Sequence, residues 1–138
     1  MNGQTTLSPA QAVIESARTL RASGVEASLA YFADDAVYKL VGLPPNLPDT
    51  YSGKDQLRAW MNELLADHFE LQVEVIKEEG DTVTTKTLTW SDMTRKFGVA
   101  PLVATEVYIV KDGKITSATW TLTPESQAKF MRALAAQQ

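Results

Sequence analysis

The dipeptide Asp112-Gly113, set between two β-favouring runs in VATEVYIVKDGKITSATWTLT (103–123), constrains the fold of this chain more than any other stretch. A two-residue type I′ turn needs positive φ at both central positions, which Asp and Gly tolerate, so the stretch predicts a tight hairpin. In the ideal register Ile109 faces Thr116, Val107 faces Ala118 and Thr105 faces Trp120. One face then carries Val103, Thr105, Val107, Ile109, Thr116, Ala118, Trp120 and Leu122. The other carries Ala104, Glu106, Tyr108, Val110, Ile115, Ser117 and Thr119. Both faces hold apolar residues and both need cover, which implies helices on one side and another subunit on the other.

The remaining elements are placed around this hairpin. Residues 1–8 read as a flexible leader and 9–138 as a single domain. Ser8-Pro9-Ala10-Gln11 is a capping-box pattern with proline at the first helical position. It opens a helix with Val13, Ile14, Ala17 and Leu20 on the buried stripe, closed at Ser23-Gly24. A short second helix carries Ala27 to Phe32, Asp34-Asp35 breaks it, and Ala36 to Val41 forms a strand with Tyr38 and Leu40 on one face. Three prolines make GLPPNLPDTYSG (42–53) an extended loop, whose Leu43 and Leu47 suit either a flap over a cavity or a loop pinned to its own core.

Ser52-Gly53-Lys54-Asp55 caps a helix bearing Leu57, Trp60, Met61, Leu64 and Leu65 at one-face spacing. Leu71 to Glu78 and Thr82 to Asp92 pair across Gly80-Asp81, with Thr84, Lys86, Leu88, Trp90 and Asp92 on one face and almost only threonine and serine on the other. A loop through Arg95 and Pro101 follows, and Thr123-Pro124-Glu125 caps a last helix with Ala128, Met131, Leu134 and Ala135 on its stripe. This order predicts an α+β fold, a strongly bent mixed or antiparallel sheet wrapped around three to four helices. The space between the concave face and the helices is a natural small-molecule pocket.

Composition removes several classes of chemistry. There is no cysteine and only one histidine, His68, so thiolate and multi-histidine metal sites are excluded and no metal or other cofactor is expected. No positive segment leads into an apolar one at the start, and no run approaches the ~18 apolar residues of a membrane span, so the expected location is cytoplasmic, with no membrane partner. A net charge of −4 with scattered Lys and Arg argues against nucleic-acid binding.

The segments Tyr31-Phe32-Ala33-Asp34-Asp35-Ala36-Val37-Tyr38, Gly80-Asp81-x-Val83 and Tyr108-x-Val110-x-Asp112-Gly113-Lys114-Ile115 resemble the nuclear transport factor 2-like superfamily, in its SnoaL-like polyketide cyclase and limonene-epoxide hydrolase branches. The resemblance covers about residues 9 to 125 and implies a conical α+β fold with a pocket, often a homodimer through the outer sheet face. That scaffold hosts isomerases, cyclases, hydrolases and proteins without chemistry. Ketosteroid isomerases would place a base at Leu40 and a tyrosine near Ser16. Epoxide hydrolases would match Tyr38, with Leu40 at the asparagine and Leu88, Trp90 and Trp120 at the arginine and two aspartates. SnoaL-type cyclases would place their histidine near Glu106 and their aspartate at Trp120.

The candidate site therefore combines an apolar wall of Leu40, Trp60, Leu88, Trp90, Trp120 and Leu122 with Tyr38 and one ionisable residue from Lys86, Glu106 and Asp92. Ideal pairing puts Glu106 on the face opposite Trp120, whereas a β-bulge would turn it inward, towards a pair with Lys86 that is either structural or an acid–base couple. Asp92 falls near the mouth or in a solvated turn, and His68 at a helix end suits the helix dipole. These residues fit a domain enclosing a small apolar or aromatic ligand. They also fit an acid–base enzyme with unusual catalytic residues, or an interaction module with a plugged cavity and a threonine-rich docking face.

Overall fold

The computed structural model describes residues 7–45 and 47–136. Its elements run α1 Pro9–Ser23, α2 Val25–Leu29, β1 Phe32–Val41, β2 Thr50–Ser52, α3 Gly53–Ala66, β3 Glu70–Glu79, β4 Thr82–Trp90, α4 Asp92–Lys96, β5 Leu102–Lys111, β6 Lys114–Leu122 and α5 Pro124–Ala135. The strands form one sheet in the order β2-β1-β6-β5-β4-β3. β1 runs parallel to β6 and every other neighbouring pair is antiparallel. This is the mixed α+β architecture that the element order predicts. No helix among the described residues is long and apolar enough to cross a membrane. Of the expected leader, residues 1–6 lie outside the described residues.

The local signals hold at the start of α1 and at the Asp112-Gly113 turn. Ser8 Oγ accepts from Gln11 N at 3.1 Å while Gln11 Oε1 accepts from Ser8 N at 2.9 Å, closing the capping box of α1. Asp112 (φ 53°) and Gly113 (φ 75°) are both left-handed, as a type I′ turn requires. At α3 the cap differs, because Gln56 Oε1, rather than a Ser52 hydroxyl, occupies the first turn by accepting from Ser52 N at 2.7 Å.

Beyond the turn, the hairpin departs from ideal register. Val110 faces Ile115, but Ile109 faces Ser117, Tyr108 faces Ala118 and Glu106 faces Trp120, so Thr116 is an extra residue in β6. Its hydroxyl donates to Ile109 O at 3.2 Å. This bulge aligns Ala104, Glu106, Tyr108 and Val110 with Ile115, Ala118, Trp120 and Leu122 on one buried face. The sheet faces are thus sorted by the bulge and not by the ideal turn.

Helices cover that inner face in two groups. α1, α2 and α3 contribute Val13, Leu20, Leu29, Leu57 and Met61 to a core with Phe32, Val83, Tyr108 and Ile115. α5 contributes Phe130 to a second core with Val99, Leu102, Ala104, Trp120 and Leu122. The stripes are rotated from the expected ones. In α1, Ala12, Val13, Ser16, Thr19 and Leu20 are buried while Ile14 is exposed. In α5, Ser126 and Phe130 are buried while Ala128, Met131 and Ala135 face water. Two further boundaries differ. α2 ends at Leu29 and β1 already begins at Phe32, with the exposed Asp34-Asp35 inside its irregular first half, and β4 ends at Trp90, so that Asp92 of the expected strand and the first residues of the expected loop form α4.

Candidate functional site

Tyr38 packs against both cores, and between them the inner sheet face stays open as a cavity of about 380 Å³. Its wall is mostly apolar: Leu40 from β1, Trp60 and Leu64 from α3, Phe69, Leu71 from β3, and Trp120 from β6. Leu43, Leu47 and Pro48 of the proline-rich loop close one side, so this loop is a flap over a cavity. The flap folds back because Leu40 N donates to Asp49 O at 2.8 Å and because Gly42 (φ 100°) lets the chain turn hard against Leu122, where a Cβ would lie 3.0 Å from Leu122 Cβ. Tyr51 stacks on Trp60 at 4.8 Å and 14°, and Tyr38 meets the same indole at 4.7 Å, forming an aromatic corner.

One carboxylate stands on this inner face. Glu106 is 1 % exposed and accepts from three hydroxyls: Tyr108 Oη at 2.7 Å and Thr87 Oγ1 at 2.8 Å, both to Oε1, and Tyr38 Oη, to Oε2. The two phenol oxygens lie 3.4 Å apart. Each group arrives from a different strand: Tyr38 from β1, Thr87 from β4, Glu106 and Tyr108 from alternate positions of β5. Burial pushes the Glu106 carboxyl above the usual carboxylate range, against the opposing pull of the hydrogen bonds from Tyr38, Tyr108 and Thr87. The two phenols are pushed well above their ordinary value, by burial first and by the adjacent Glu106 charge second. Two buried phenols therefore keep their protons at neutral pH, and the carboxyl between them holds its proton to higher pH than a free carboxyl does.

The expected site residues separate into two sets. Tyr38, Glu106, Leu40, Trp60 and Trp120 all line the cavity. Lys86, Leu88 and Trp90 do not, because β4 presents the opposite face from the one expected. Val83, Thr85 and Thr87 are buried, whereas Lys86 is exposed on the outer face, across from Glu74 and Thr105. A Lys86–Glu106 pair is therefore absent. The physical reason is the same carboxylate: the strand beside Glu106 must offer hydroxyls, so the threonine side of β4 turns inward and its Leu and Trp turn out.

Leu122 is buried in the second core behind the wall. Asp92 begins α4 and is exposed, with its Oδ2 2.6 Å from His68 Nδ1. That carboxylate raises the His68 value, so His68 is an ion-pair partner at a corner between elements and not a helix-dipole group alone. Thr87 and Tyr51 carry no sequence motif of their own, and the motif that Tyr108 opens does not mark it as a site residue. Tyr108 is legible only in retrospect, two residues from Glu106 and hence on its face. Among the described residues, no group of three or more His, Cys, Asp or Glu side chains is placed to hold a metal ion.

A curved mixed sheet closed by helices over one polar-floored cavity defines a class of small α+β cones. Residues 13–118 match the model of the SnoaL-like domain, and the chain belongs to that family. It is similar in structure to Rv0760c of Mycobacterium tuberculosis at 26% identity, covering 89% of this chain and 97% of that one, with a TM-score of 0.70. It also resembles an LEH-like epoxide hydrolase of M. tuberculosis (20% identity, 94% and 93% covered, TM-score 0.67). A third similar structure is a computationally designed 17-OHP binder (21% identity, 88% and 95% covered, TM-score 0.71). No curated protein matches the chain in sequence.

Proposed function

We propose that this SnoaL-like domain encloses a small, mostly apolar molecule and orients it by one polar group at the Tyr38–Glu106 end. The observation that carries this reading is the cavity itself: apolar walls and stacked aromatic rings around one buried, hydrogen-bonded carboxylate. The designed 17-OHP binder supports it at the level of the fold, as a protein of this shape made to hold a small ligand. The test is uptake of the neutral, environment-sensitive dye prodan. Wild type binds it with a blue-shifted emission, and filling the cavity with Leu64→Trp or Thr89→Trp abolishes the signal. Tyr38→Phe alters dye affinity while changing stability by about 1 kcal/mol at most. A melting-temperature loss with unchanged affinity would leave Tyr38 a purely structural residue.

The contact between Glu106 and Tyr38 favours a second reading, a cofactor-independent acid–base enzyme of isomerase, cyclase or hydrolase type. Here Glu106 moves the proton and Tyr38 steadies the developing charge. Its signature is catalysed deuterium exchange at the methylene beside the carbonyl of bound prodan, reduced by about a hundredfold or more in Glu106→Gln.

The outer sheet face supports a homodimer as partner arrangement. Val41 and Val107 are exposed there beside the half-buried Val103 and Ile109, and both helical groups pack on the other face. Five long strands present roughly 700 Å² per protomer, close to a standard interface. Sedimentation velocity is expected to show a dimer that Val107→Asp converts to a folded monomer. A monomeric wild type would remove this arrangement.

A further inference from the structure

The polar groups in the cavity are sorted by sign and by hydrogen-bonding role. Three carboxylates face it: Glu106 on the inner sheet face, and Glu63 and Asp67 on and just beyond α3. Among the described residues, no Lys, Arg or His lines it. The cations nearby in the α3–α4 corner are already engaged, Arg95 with Glu70 at 3.0 Å and His68 with Asp92 at 2.6 Å.

The three hydroxyls around Glu106 are engaged as well. The hydroxyls of Tyr38, Tyr108 and Thr87 all point at Glu106. An ionised carboxylate has about four acceptor sites, and three are filled. What remains at this end of the cavity is acceptor capacity, on Glu106 Oε2 and on the phenol oxygen of Tyr38, while Tyr51, Thr89, Trp60 and Trp120 line the rest of it. A carbonyl would find those three donors occupied, and a carboxylate would in addition meet like charge. A ligand that brings a positively charged donor would supply the missing partner of a desolvated carboxylate and find π faces on Tyr38 and Trp60.

We propose that the natural ligand is an amine: an apolar body within the cavity carrying a protonated nitrogen that donates to Glu106 Oε2 beside the Tyr38–Trp60 corner. This rests on the pocket reading above and names the ligand class for it. The upward push on the Glu106 carboxyl agrees with it, since burial without a countercharge is what a bound cation relieves.

Three probes with one indole body and different heads test the assignment: tryptamine, tryptophol and indole-acetate, titrated by calorimetry at mildly alkaline pH. Tryptamine is expected to bind at least about tenfold more tightly than tryptophol, with indole-acetate weakest. Glu106→Gln brings the amine-to-alcohol ratio towards one. Should that variant not fold, Glu63→Gln combined with Asp67→Asn is expected to lower the same ratio from the α3 side. Equal or tighter binding of tryptophol or indole-acetate overturns the amine assignment. Binding of prodan with none of the three indoles overturns it too and leaves the pocket reading intact, whereas failure of prodan and all three indoles removes both.

Discussion

Phe130→Ala is expected to cost about 3–5 kcal/mol and to lower the melting temperature by roughly 10 °C, although the residue lies in the short last helix. Phe130 is 1 % exposed and is the main apolar anchor by which α5 meets Val99, Leu102, Ala104, Trp120 and Leu122. Removing it leaves a cavity against an otherwise rigid sheet, and packing lost there is not regained from solvent. The neighbouring Met131 is 42 % exposed, and Met131→Ala should fall within about 0.5 kcal/mol of wild type. The effect extends to the site, because Trp120 is shared between the second core and the ligand cavity. Chemical denaturation of the two variants, read beside dye uptake, separates these outcomes. Equal effects of the two substitutions would mean that α5 docks by its other face.

Glu106→Leu is expected to cost about 2–4 kcal/mol at neutral pH, because the hydroxyls of Tyr38, Tyr108 and Thr87 lose their common acceptor inside the protein. The loss stays below the sum for three deserted donors. Tyr38 and Tyr108 remain 3.4 Å apart, and Thr87 remains 3.3 Å from Thr85. Glu106→Gln keeps one acceptor oxygen and should cost less, but it removes the titration. The sign follows from the direction of the shift. The folded carboxyl holds its proton to higher pH than the unfolded chain does, so its contribution to stability is fully present below the ordinary value of 4.5 and is lost as pH rises through the raised one. Wild type should therefore gain stability relative to Glu106→Gln as pH falls from neutrality towards 4.5. Urea unfolding of both proteins across that range gives the difference directly, and a difference independent of pH would mean that Glu106 keeps an ordinary carboxyl value when folded.

These two residues also show how far local pattern reaches. Phe130 sits in a helix whose Ala128, Met131, Leu134 and Ala135 offer a regular stripe of their own, yet contact with the sheet selects Phe130 and keeps only Leu134 of that stripe against the core. Lys86, Leu88 and Trp90 show the same limit in a strand. By hydrophobicity the Leu and Trp side of β4 should face the interior, yet its threonines do, because Thr87 is needed as a donor to Glu106. For Glu106 itself, the deciding event is one extra residue in β6, and a bulge has no strong signature in composition.

Interactions within a few residues were decided by the chain itself. The type I′ turn at Asp112-Gly113, the capping box at Ser8–Gln11, the α+β order and the shared face of Tyr38 and Leu40 all follow from backbone preference and short spacing, whose energies do not depend on what lies across the fold. Tertiary structure alone decided which face of β4 and which side of α5 is buried, and that Glu106 meets Tyr38, Tyr108 and Thr87. Those choices turn on a one-residue parity and on the pairing of polar groups between strands far apart in sequence. A strand or helix reads equally well in either orientation until its neighbours supply the partners.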